Sequence, residues 1–251
     1  MRHLDLFSGI GGFALAARWM GWETVAFCER EKYARRVLEQ HWPGVPIIDD
    51  ITKWPSERIG CDIITGGFPC QPFSCAGKQA GKQDDRYLWP AMLSVIERER
   101  PAWVVGENVF GIIKMALDQV LAELEAIGYA TRAFVVPACA VDAFHRRNRV
   151  WIVANASRRR RQEDRQCSAK TRSNGFKRDI RWPSEPALGR VAHGIPNRTH
   201  RIKGLGNAIV PQVAYEIFNH LEAFSQSEND SALRKPNGRA VELAAHNLDK
   251  L

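Results

Sequence analysis

The chain has 251 residues, of which 45% are hydrophobic and 25% charged, so it can bury a sizeable core and has an ordinary globular composition. No apolar run approaches the roughly 18 residues of a membrane-spanning helix. The six cysteines are too irregularly spaced for a disulfide framework. Asp5 and Ser8 interrupt the apolar N-terminus, which argues against a secretory signal. We therefore expect a cytoplasmic protein without a membrane partner.

The net charge of +8 is concentrated in one segment. Residues 157–203 contain 14 Lys and Arg against 4 Asp and Glu, whereas the rest of the chain contains 22 against 24. Such a local excess of positive charge indicates a polyanionic partner, the alternative being a solvated insertion.

Short apolar strands alternate with helical patterns through the first 154 residues. Strands are predicted over 3–7, 24–28, 61–65, 103–105, 134–136 and 150–154, and helices over 13–20, 32–40, 88–99 and 112–127. This alternation predicts an α/β fold with a mostly parallel, doubly wound sheet and helices on both faces. Residues 155–203 are basic and show little periodicity. A helical pattern returns over 210–224, and a polar linker is predicted over 225–238.

Residues 66–75 place a cysteine on a rigid loop. Two glycines and two prolines prevent regular structure directly after a predicted strand. Pro69 fixes its own φ and Phe68 is restricted to an extended conformation, so local geometry largely sets the direction of the Cys70 thiol. The alternative is that Cys70 is a small buried hydrophobe. A metal pair with Cys75 is disfavoured because zinc needs about four ligands, and no metal is expected.

A strand, a glycine turn and a helix are predicted at residues 5–13. The glycine spacing differs from the G-x-G-x-x-G fingerprint, but glycine at this turn lets a ligand lie against the backbone. Glu29 follows Gly9 by 20 residues, at a strand end where a carboxylate typically binds ribose hydroxyls. Asp50 and Ile51 could pair an adenine amino group with an apolar ring contact. Together these residues predict an adenosine-containing cofactor.

Five blocks, in chain order, resemble the C5 DNA (cytosine) methyltransferase family. They are Asp5–Phe13, Gly67–Ser74, Glu107–Val109, Arg146–Val150 and Gly206–Ala214. The Pro-Cys-Gln and Glu-Asn-Val sequences within them are highly specific. The resemblance implies a catalytic methyltransferase domain with an S-adenosylmethionine-dependent, Rossmann-like fold over 1–155. It further implies a small basic target-recognition region over 156–203, a helix returning to the catalytic domain over 204–224 and a polar tail over 225–251.

The resemblance implies methyl transfer from S-adenosylmethionine to C5 of a flipped cytosine, through a covalent bond between Cys70 and C6. Glu107 would engage the cytosine ring, beside the paired arginines Arg147 and Arg149. The expected cofactor residues are Phe7, Gly9, Gly11, Glu29, Asp50, Ile51, Pro69, Leu88 and Asn207. The expected DNA contacts are Gln71, Ser74, Arg158, Arg159, Arg160 and Arg161.

The implied chemistry sets requirements on the carboxyl group of Glu107. A protonated Glu107 would neutralise charge that develops at cytosine N3, which requires a carboxyl pKa raised by burial among Val104, Val105 and Val109. The alternative is a glutamate that caps the following helix.

The two arginines lie two residues apart on the approach to a strand, so we expect Arg147 and Arg149 to share a face. Arg149 is the candidate cation that would favour the Cys70 thiolate. The alternative for both is solvated surface charge.

Three departures from the family pattern concern DNA recognition. Phe144 and His145 replace the usual Pro-Gln pair, the block that normally precedes Gly206 is not recognisable, and the target-recognition region is short. The expected partner is double-stranded DNA, bound by a monomer, with a cognate restriction endonuclease as a further candidate. The alternatives are an RNA cytosine-5 methyltransferase of the same fold, an inactive DNA-binding relative, and a nicotinamide-dependent oxidoreductase, which the glycine spacing disfavours.

Overall fold

The computed structural model describes residues 1–69, 87–156 and 198–233. The strands of the described residues are β1 Arg2–Leu6, β2 Glu23–Cys28, β3 Ile47–Ile48, β4 Ile63–Gly66, β5 Trp103–Val109, β6 Ala130–Val136 and β7 Arg149–Asn155. Their helices are α1 Gly12–Trp19, α2 Lys32–His41, α3 Trp89–Glu99, α4 Ile112–Met115, α5 Leu117–Ala126, α6 Arg198–Asn207 and α7 Pro211–Leu233. Short 3₁₀ turns span Ile51–Lys53 and Ala138–Val141.

The strands form one sheet in the order β3-β2-β1-β4-β5-β7-β6. Strands β3, β2, β1, β4 and β5 pair in parallel, and β7 runs antiparallel to both β5 and β6. The predicted mostly parallel sheet is therefore confirmed. The chain moves outward from β1 to β3 and then returns to β4, so the strand order reverses between β1 and β4. Ligands of open α/β sheets bind at the carboxyl ends of the strands at such a point.

Alternate strand residues face two apolar layers. The first layer packs against α3 and α5 and includes Leu4, Leu6, Ile64, Met92, Ile96, Val104, Val120, Leu124 and Ile152. The second packs against α1 and α7 and includes Phe13, Ala17, Ile63, Val105, Trp151, Val213, Phe218 and Leu221. Both faces of the sheet are covered by helices, as predicted, and the carboxyl edge is left for the site.

The predicted helix over 112–127 is divided in the structure. Ala116 has φ −152° and ψ −3°, outside the helical region, so α4 ends before it and α5 begins after it. The predicted stop at Gly128 is confirmed: its φ is +96°, and the backbone N–H groups of Gly128 and Tyr129 donate to carbonyls of the last turn.

The basic segment was predicted to be irregular up to residue 203, but α6 already begins at Arg198. Tertiary contacts outweigh its weak periodicity. The His200 ring stacks on Tyr33 at 5.7 Å, and Lys203 forms an ion pair with Glu31. A cationic helix is thus held against the N-terminus of α2.

The last helix is longer than predicted, because α7 continues from residue 224 to Leu233. The predicted linker from 225 is therefore wrong for its first nine residues. The Trp103 indole N–H donates to Ser225 Oγ at 3.1 Å, and the Trp103 ring meets Phe224 edge-on at 5.8 Å. These contacts anchor a stretch whose composition is polar.

No helix in the described part of the chain is long and apolar enough to cross a membrane. Cys28, Cys61 and Cys139 are free thiols. Burial raises the pKa of Cys28 and of Cys61 to about 12, so both are inert neutral thiols at physiological pH.

Candidate active site

Glu107 and Arg149 form an ion pair between two neighbouring strands at the carboxyl edge of the sheet. Arg149 Nε lies 2.9 Å from Glu107 Oε1, and the side chains are 22% and 10% exposed. Glu107 is the fifth residue of β5 and Arg149 begins β7. Because Glu107 lies within a strand, it is not a helix cap, and that alternative is excluded.

Burial is the main influence on the Glu107 carboxyl group. It raises the pKa of Glu107 above its ordinary value, while the positive charges of Arg149 and Arg147 pull it down. The predicted direction is confirmed, but the source of burial is only partly as predicted, since Val109 is 47% exposed. Glu107 is directly opposite Trp151 in the β5–β7 ladder, so this buried ring lies on the same face.

The chain that leads to the candidate nucleophile runs beside Glu107. A Cβ placed on Gly67 would lie 3.5 Å from Glu107 Oε2, so the backbone passes close to the carboxylate. The Asn108 side chain donates from Nδ2 to Phe68 O at 2.9 Å and accepts from its neighbour's N–H through Oδ1. Residues 67–69 are thereby held against β5. Cys70, the next residue, lies outside the described residues, as do Gln71, Ser74 and Arg158, Arg159, Arg160 and Arg161.

Arg147 has a different environment from Arg149. Arg147 lies two residues before β7 and has a φ of +35°. Strand alternation therefore does not apply to it, and it does not share a strand face with Arg149. Its guanidinium donates to the carbonyl oxygens of Gly206 at 2.8 Å and Ala208 at 2.6 Å. Burial lowers its pKa. Arg147 therefore binds the backbone on both sides of Asn207 and attaches the end of α6 to the loop before β7.

The glycine turn after β1 is tied to the end of β2. Glu29 accepts from the backbone N–H of Gly9 through Oε2 and from that of Glu31 through Oε1, each at 2.7 Å. Phe7 and Gly9 have φ values of +53° and +55°. A Cβ on Gly9 would meet nothing within 4 Å, so the turn opens onto free space. The turn can therefore accept a ligand next to a carboxylate.

The neighbouring glycines are needed for packing. Gly11 has φ +86°, and a Cβ there would lie 2.6 Å from the Trp42 ring. A Cβ on Gly12 would lie 2.6 Å from Ile209 Cγ1, which connects the first and last blocks of the site. No periodicity or residue spacing in the sequence indicates this contact.

Asp50 lies between β3 and the 3₁₀ turn Ile51–Lys53, and its side chain is hydrogen-bonded to that turn. Its Oδ1 accepts from the backbone N–H of Thr52 at 3.0 Å and from Thr52 Oγ1 at 2.7 Å, which lowers the pKa of Asp50. Ile51 is 5% exposed and packs in the first apolar layer, where Leu88 joins it. A carboxylate and an apolar side chain are thus adjacent here, and their contacts with an adenine stay a prediction.

Sequence reasoning missed a buried series of hydrogen bonds among side chains of β1, β2 and β4. Thr65 Oγ1 donates its hydroxyl proton to Asp5 Oδ1 at 3.0 Å. The Thr65 oxygen must therefore accept from His3, whose Nε2–H donates to it at 2.8 Å. His3 Nδ1 then accepts from Thr24 Oγ1 at 3.1 Å. Burial lowers the pKa of His3 to about 3 and raises that of Asp5 to about 8. Strand alternation, with two polar residues at 3 and 5, was the available signal.

The residues at the ends of β1, β2 and β3 fit a nucleoside-containing cofactor. Gly9 leaves open space, Glu29 has further lone pairs beside it, and Ile51 supplies an apolar wall next to Asp50. No group of three or more potential metal ligands occurs among the described residues. The sheet order and its helices define the chain as a Rossmann-like α/β protein.

Solved structures share this fold. A DNMT2 variant from Spodoptera frugiperda superposes with a TM-score of 0.55 at 22% identity, covering 66% of this chain and 53% of that one. The Dnmt2 methyltransferase of S. pombe superposes with a TM-score of 0.54 at 22% identity, covering 62% and 50%. The chain therefore has the same α/β fold as these two proteins.

The chain belongs to the C-5 cytosine-specific DNA methylase family, whose sequence pattern matches residues 1–185. It is 35% identical over 164 residues to the Type II methyltransferase M2.BsuMI of Bacillus subtilis, covering 62% of this chain and 42% of that protein. It is 33% identical over 159 residues to M.HhaI of Haemophilus parahaemolyticus, covering 61% and 48%. The chain thus spans about half the length of the curated relatives that it matches.

Proposed function

We propose that the chain is a DNA (cytosine-5-)-methyltransferase that acts on a cytosine flipped out of duplex DNA. The observation that carries this proposal is the buried Glu107–Arg149 pair beside residues 67–69, directly before Cys70. A carboxyl group, a guanidinium and the approach to a cysteine thus converge at the carboxyl edge of the sheet, beside β4, which borders the strand-order reversal. Family membership supports the same reaction.

Cys70 is the proposed nucleophile. Cytosine C5 is a poor nucleophile until a thiolate adds to C6, which converts the ring into an enamine that can take up a methyl group. The bond from Cys70 Sγ to C6 forms first and breaks last, after a base removes the C5 proton. Bound S-adenosylmethionine would supply the methyl group as an electrophile.

Glu107 is the proposed partner of the cytosine ring. Addition at C6 moves negative charge toward N3, where a protonated Glu107 would donate, while its other oxygen accepts from the N4 amino group. Its raised pKa favours the protonated form. Arg149 opposes that rise and holds Oε1 in place, so it orients the carboxyl group rather than serving Cys70 alone.

The cofactor is proposed to lie across the ends of β1, β2 and β3. Glu29 is positioned for ribose hydroxyls and Asp50 for an adenine amino group, while Ile51 lies against the ring. The remaining proposed contacts are Phe7, Gly9, Gly11, Pro69, Leu88 and Asn207. The Arg147 hydrogen bonds to Gly206 and Ala208 support the place of Asn207 in this set.

Duplex DNA is the proposed partner. Flipping the target base costs a few kcal/mol, which phosphate contacts from the basic region at 156–203 would offset. Arg158, Arg159, Arg160 and Arg161 are the proposed phosphate contacts, and Gln71 and Ser74 the neighbours of the flipped nucleotide. We further propose a cytoplasmic enzyme that binds DNA as a monomer and acts at the site of a cognate restriction endonuclease.

Transfer of a labelled methyl group tests this function. Purified protein with labelled S-adenosylmethionine and mixed-sequence duplex DNA is expected to yield 5-methylcytosine. The Cys70→Ser variant should give none and still bind DNA. Labelling of tRNA in place of duplex DNA would contradict the proposed substrate, and turnover by Cys70→Ser would contradict the mechanism.

A further inference from the structure

Glu99, the last residue of α3, has a fully buried carboxylate that the site described above does not use. Three neutral N–H groups donate to it. Its Oε1 accepts from the Trp54 indole at 3.1 Å and from the Ile59 backbone at 3.3 Å, and its Oε2 accepts from the Gly60 backbone at 2.9 Å. All three donors belong to one loop, residues 54–60.

This arrangement is unfavourable for a glutamate considered alone. A carboxylate at a helix C-terminus faces the negative end of the helix dipole, and glutamate is rarely fully buried without a paired charge. The convergence of three donors compensates for the lost hydration. It does so only when the 54–60 loop holds one conformation, so the buried charge selects that conformation.

Further hydrogen bonds attach the same loop to the same helix end. Arg58 donates to the Glu99 carbonyl oxygen, and Arg98 donates to the Pro55 carbonyl oxygen. The end of α3 therefore holds the loop along most of its length, through both its backbone and its side chains.

The 54–60 loop lies between two parts of the site. The 3₁₀ turn Ile51–Lys53 immediately precedes Trp54, and β4, which leads toward Cys70, follows the loop. A cavity of about 280 Å³ separates the turn from α3, lined by Ile51, Thr52, Trp54, Ala91, Ser94, Val95 and Arg98. The hydrogen bond from Trp54 to Glu99 connects the turn with the helix beside this cavity.

We propose that Glu99 is a positioning residue for cofactor binding. Through Trp54 it holds the turn so that Asp50 and Ile51 meet the adenosine of the cofactor. This inference rests on the proposed function, because it assumes that S-adenosylmethionine binds at those two residues.

Two single variants and their combination test the proposal. Trp54→Phe replaces the indole with a smaller aromatic ring that has no N–H, and Glu99→Gln removes the charge at nearly constant shape. Calorimetry with S-adenosylhomocysteine gives the cofactor dissociation constant, and steady-state assays give KM and kcat. Each single variant is expected to weaken cofactor binding about tenfold, with kcat at saturation within about twofold of the parent. The double variant should bind the cofactor no more weakly than Glu99→Gln alone, because Trp54 acts through its hydrogen bond to Glu99.

Glu97→Gln, exposed on the same helix, is the matched control and should bind the cofactor like the parent. Thermal unfolding of every variant separates positioning from stability. A lowered Tm with unchanged dissociation constants in Trp54→Phe and Glu99→Gln would overturn the proposal, as would a loss confined to kcat. If the parent protein itself binds neither S-adenosylmethionine nor S-adenosylhomocysteine, the proposed function fails and the positioning role fails with it.

Discussion

Arg149 Nε contacts Glu107 Oε1 at 2.9 Å across the antiparallel β5–β7 pair, at the edge where the chain approaches Cys70. The pair combines two opposing influences on one carboxyl group. Burial favours its neutral form and the guanidinium favours its charged form, and burial prevails. A raised pKa makes a carboxyl group easier to protonate, which is the direction that donation to a ring nitrogen requires.

Glu107→Gln tests the role of that proton. The amide keeps the size of the side chain but cannot transfer a proton to cytosine N3. The single-turnover methylation rate is expected to fall by about 100-fold or more, while the dissociation constant for S-adenosylmethionine stays within about twofold. Rapid-quench assays measure the first quantity and calorimetry the second. A single-turnover rate equal to that of the parent would remove Glu107 from the chemical step.

Substitutions of Arg149 and Arg147 are expected to change different kinetic constants. Arg149→Gln removes the partner of Glu107 and should lower the chemical rate about tenfold or more. Arg147→Gln removes the hydrogen bonds that bracket Asn207, so it should raise KM for the cofactor about tenfold and change the single-turnover rate less. Kinetic assays of both variants, at saturating and limiting cofactor, distinguish these outcomes. Identical kinetic defects would contradict the separate environments.

The sequence was sufficient for the mostly parallel sheet and for the raised pKa of Glu107, because each depends on local apolar patterning or on burial within one strand. It did not predict β3, Ile47–Ile48, because two residues are too few to form a pattern. It was insufficient for α6, whose composition is basic and whose stability comes from Tyr33 and Glu31, far away in the chain. The different environments of Arg147 and Arg149 were equally hidden. They depend on contacts with Gly206, Ala208 and Glu107, which are distant in the sequence.

Gly12→Ala tests the contact between the start of α1 and Ile209, which precedes α7. The added methyl group would lie 2.6 Å from Ile209 Cγ1, which is overpacking at a partly buried contact. The free energy of unfolding is expected to fall by about 1–3 kcal/mol in urea denaturation. Combining it with Ile209→Ala removes the opposing atom, so the double variant should lose less than the sum of the two single losses. Additive losses would show that the two residues are not in contact.

His3 and Asp5 are expected to shape the pH dependence of stability in opposite directions. The lowered pKa of His3, about 3, means that stability is lost as the pH falls from 6.5 toward 3. The raised pKa of Asp5, about 8, means that stability is lost as the pH rises from about 4 through 8. Between pH 4 and 6.5 the two contributions largely cancel.

His3→Gln removes the contribution of His3 to the pH dependence of stability. Relative to the parent, its free energy of unfolding should decline by about 1 kcal/mol more per pH unit as the pH rises from 4 to 6.5. Urea denaturation at several pH values measures this slope, with His41→Gln at an exposed position as the control. Parallel curves for the parent and His3→Gln would show that His3 is not buried in its neutral form.

The most direct measurement of the proposed chemistry uses duplex DNA with 5-fluorocytosine at the methylated position. Fluorine cannot leave as a cation, so the enzyme should stay attached through its nucleophile once the methyl group has been transferred. Mass spectrometry of the digested complex is expected to find the modified pyrimidine on the peptide that contains Cys70, and only in the presence of S-adenosylmethionine. Methylation of ordinary DNA with no such adduct, or an adduct on another residue, would contradict the assignment of Cys70.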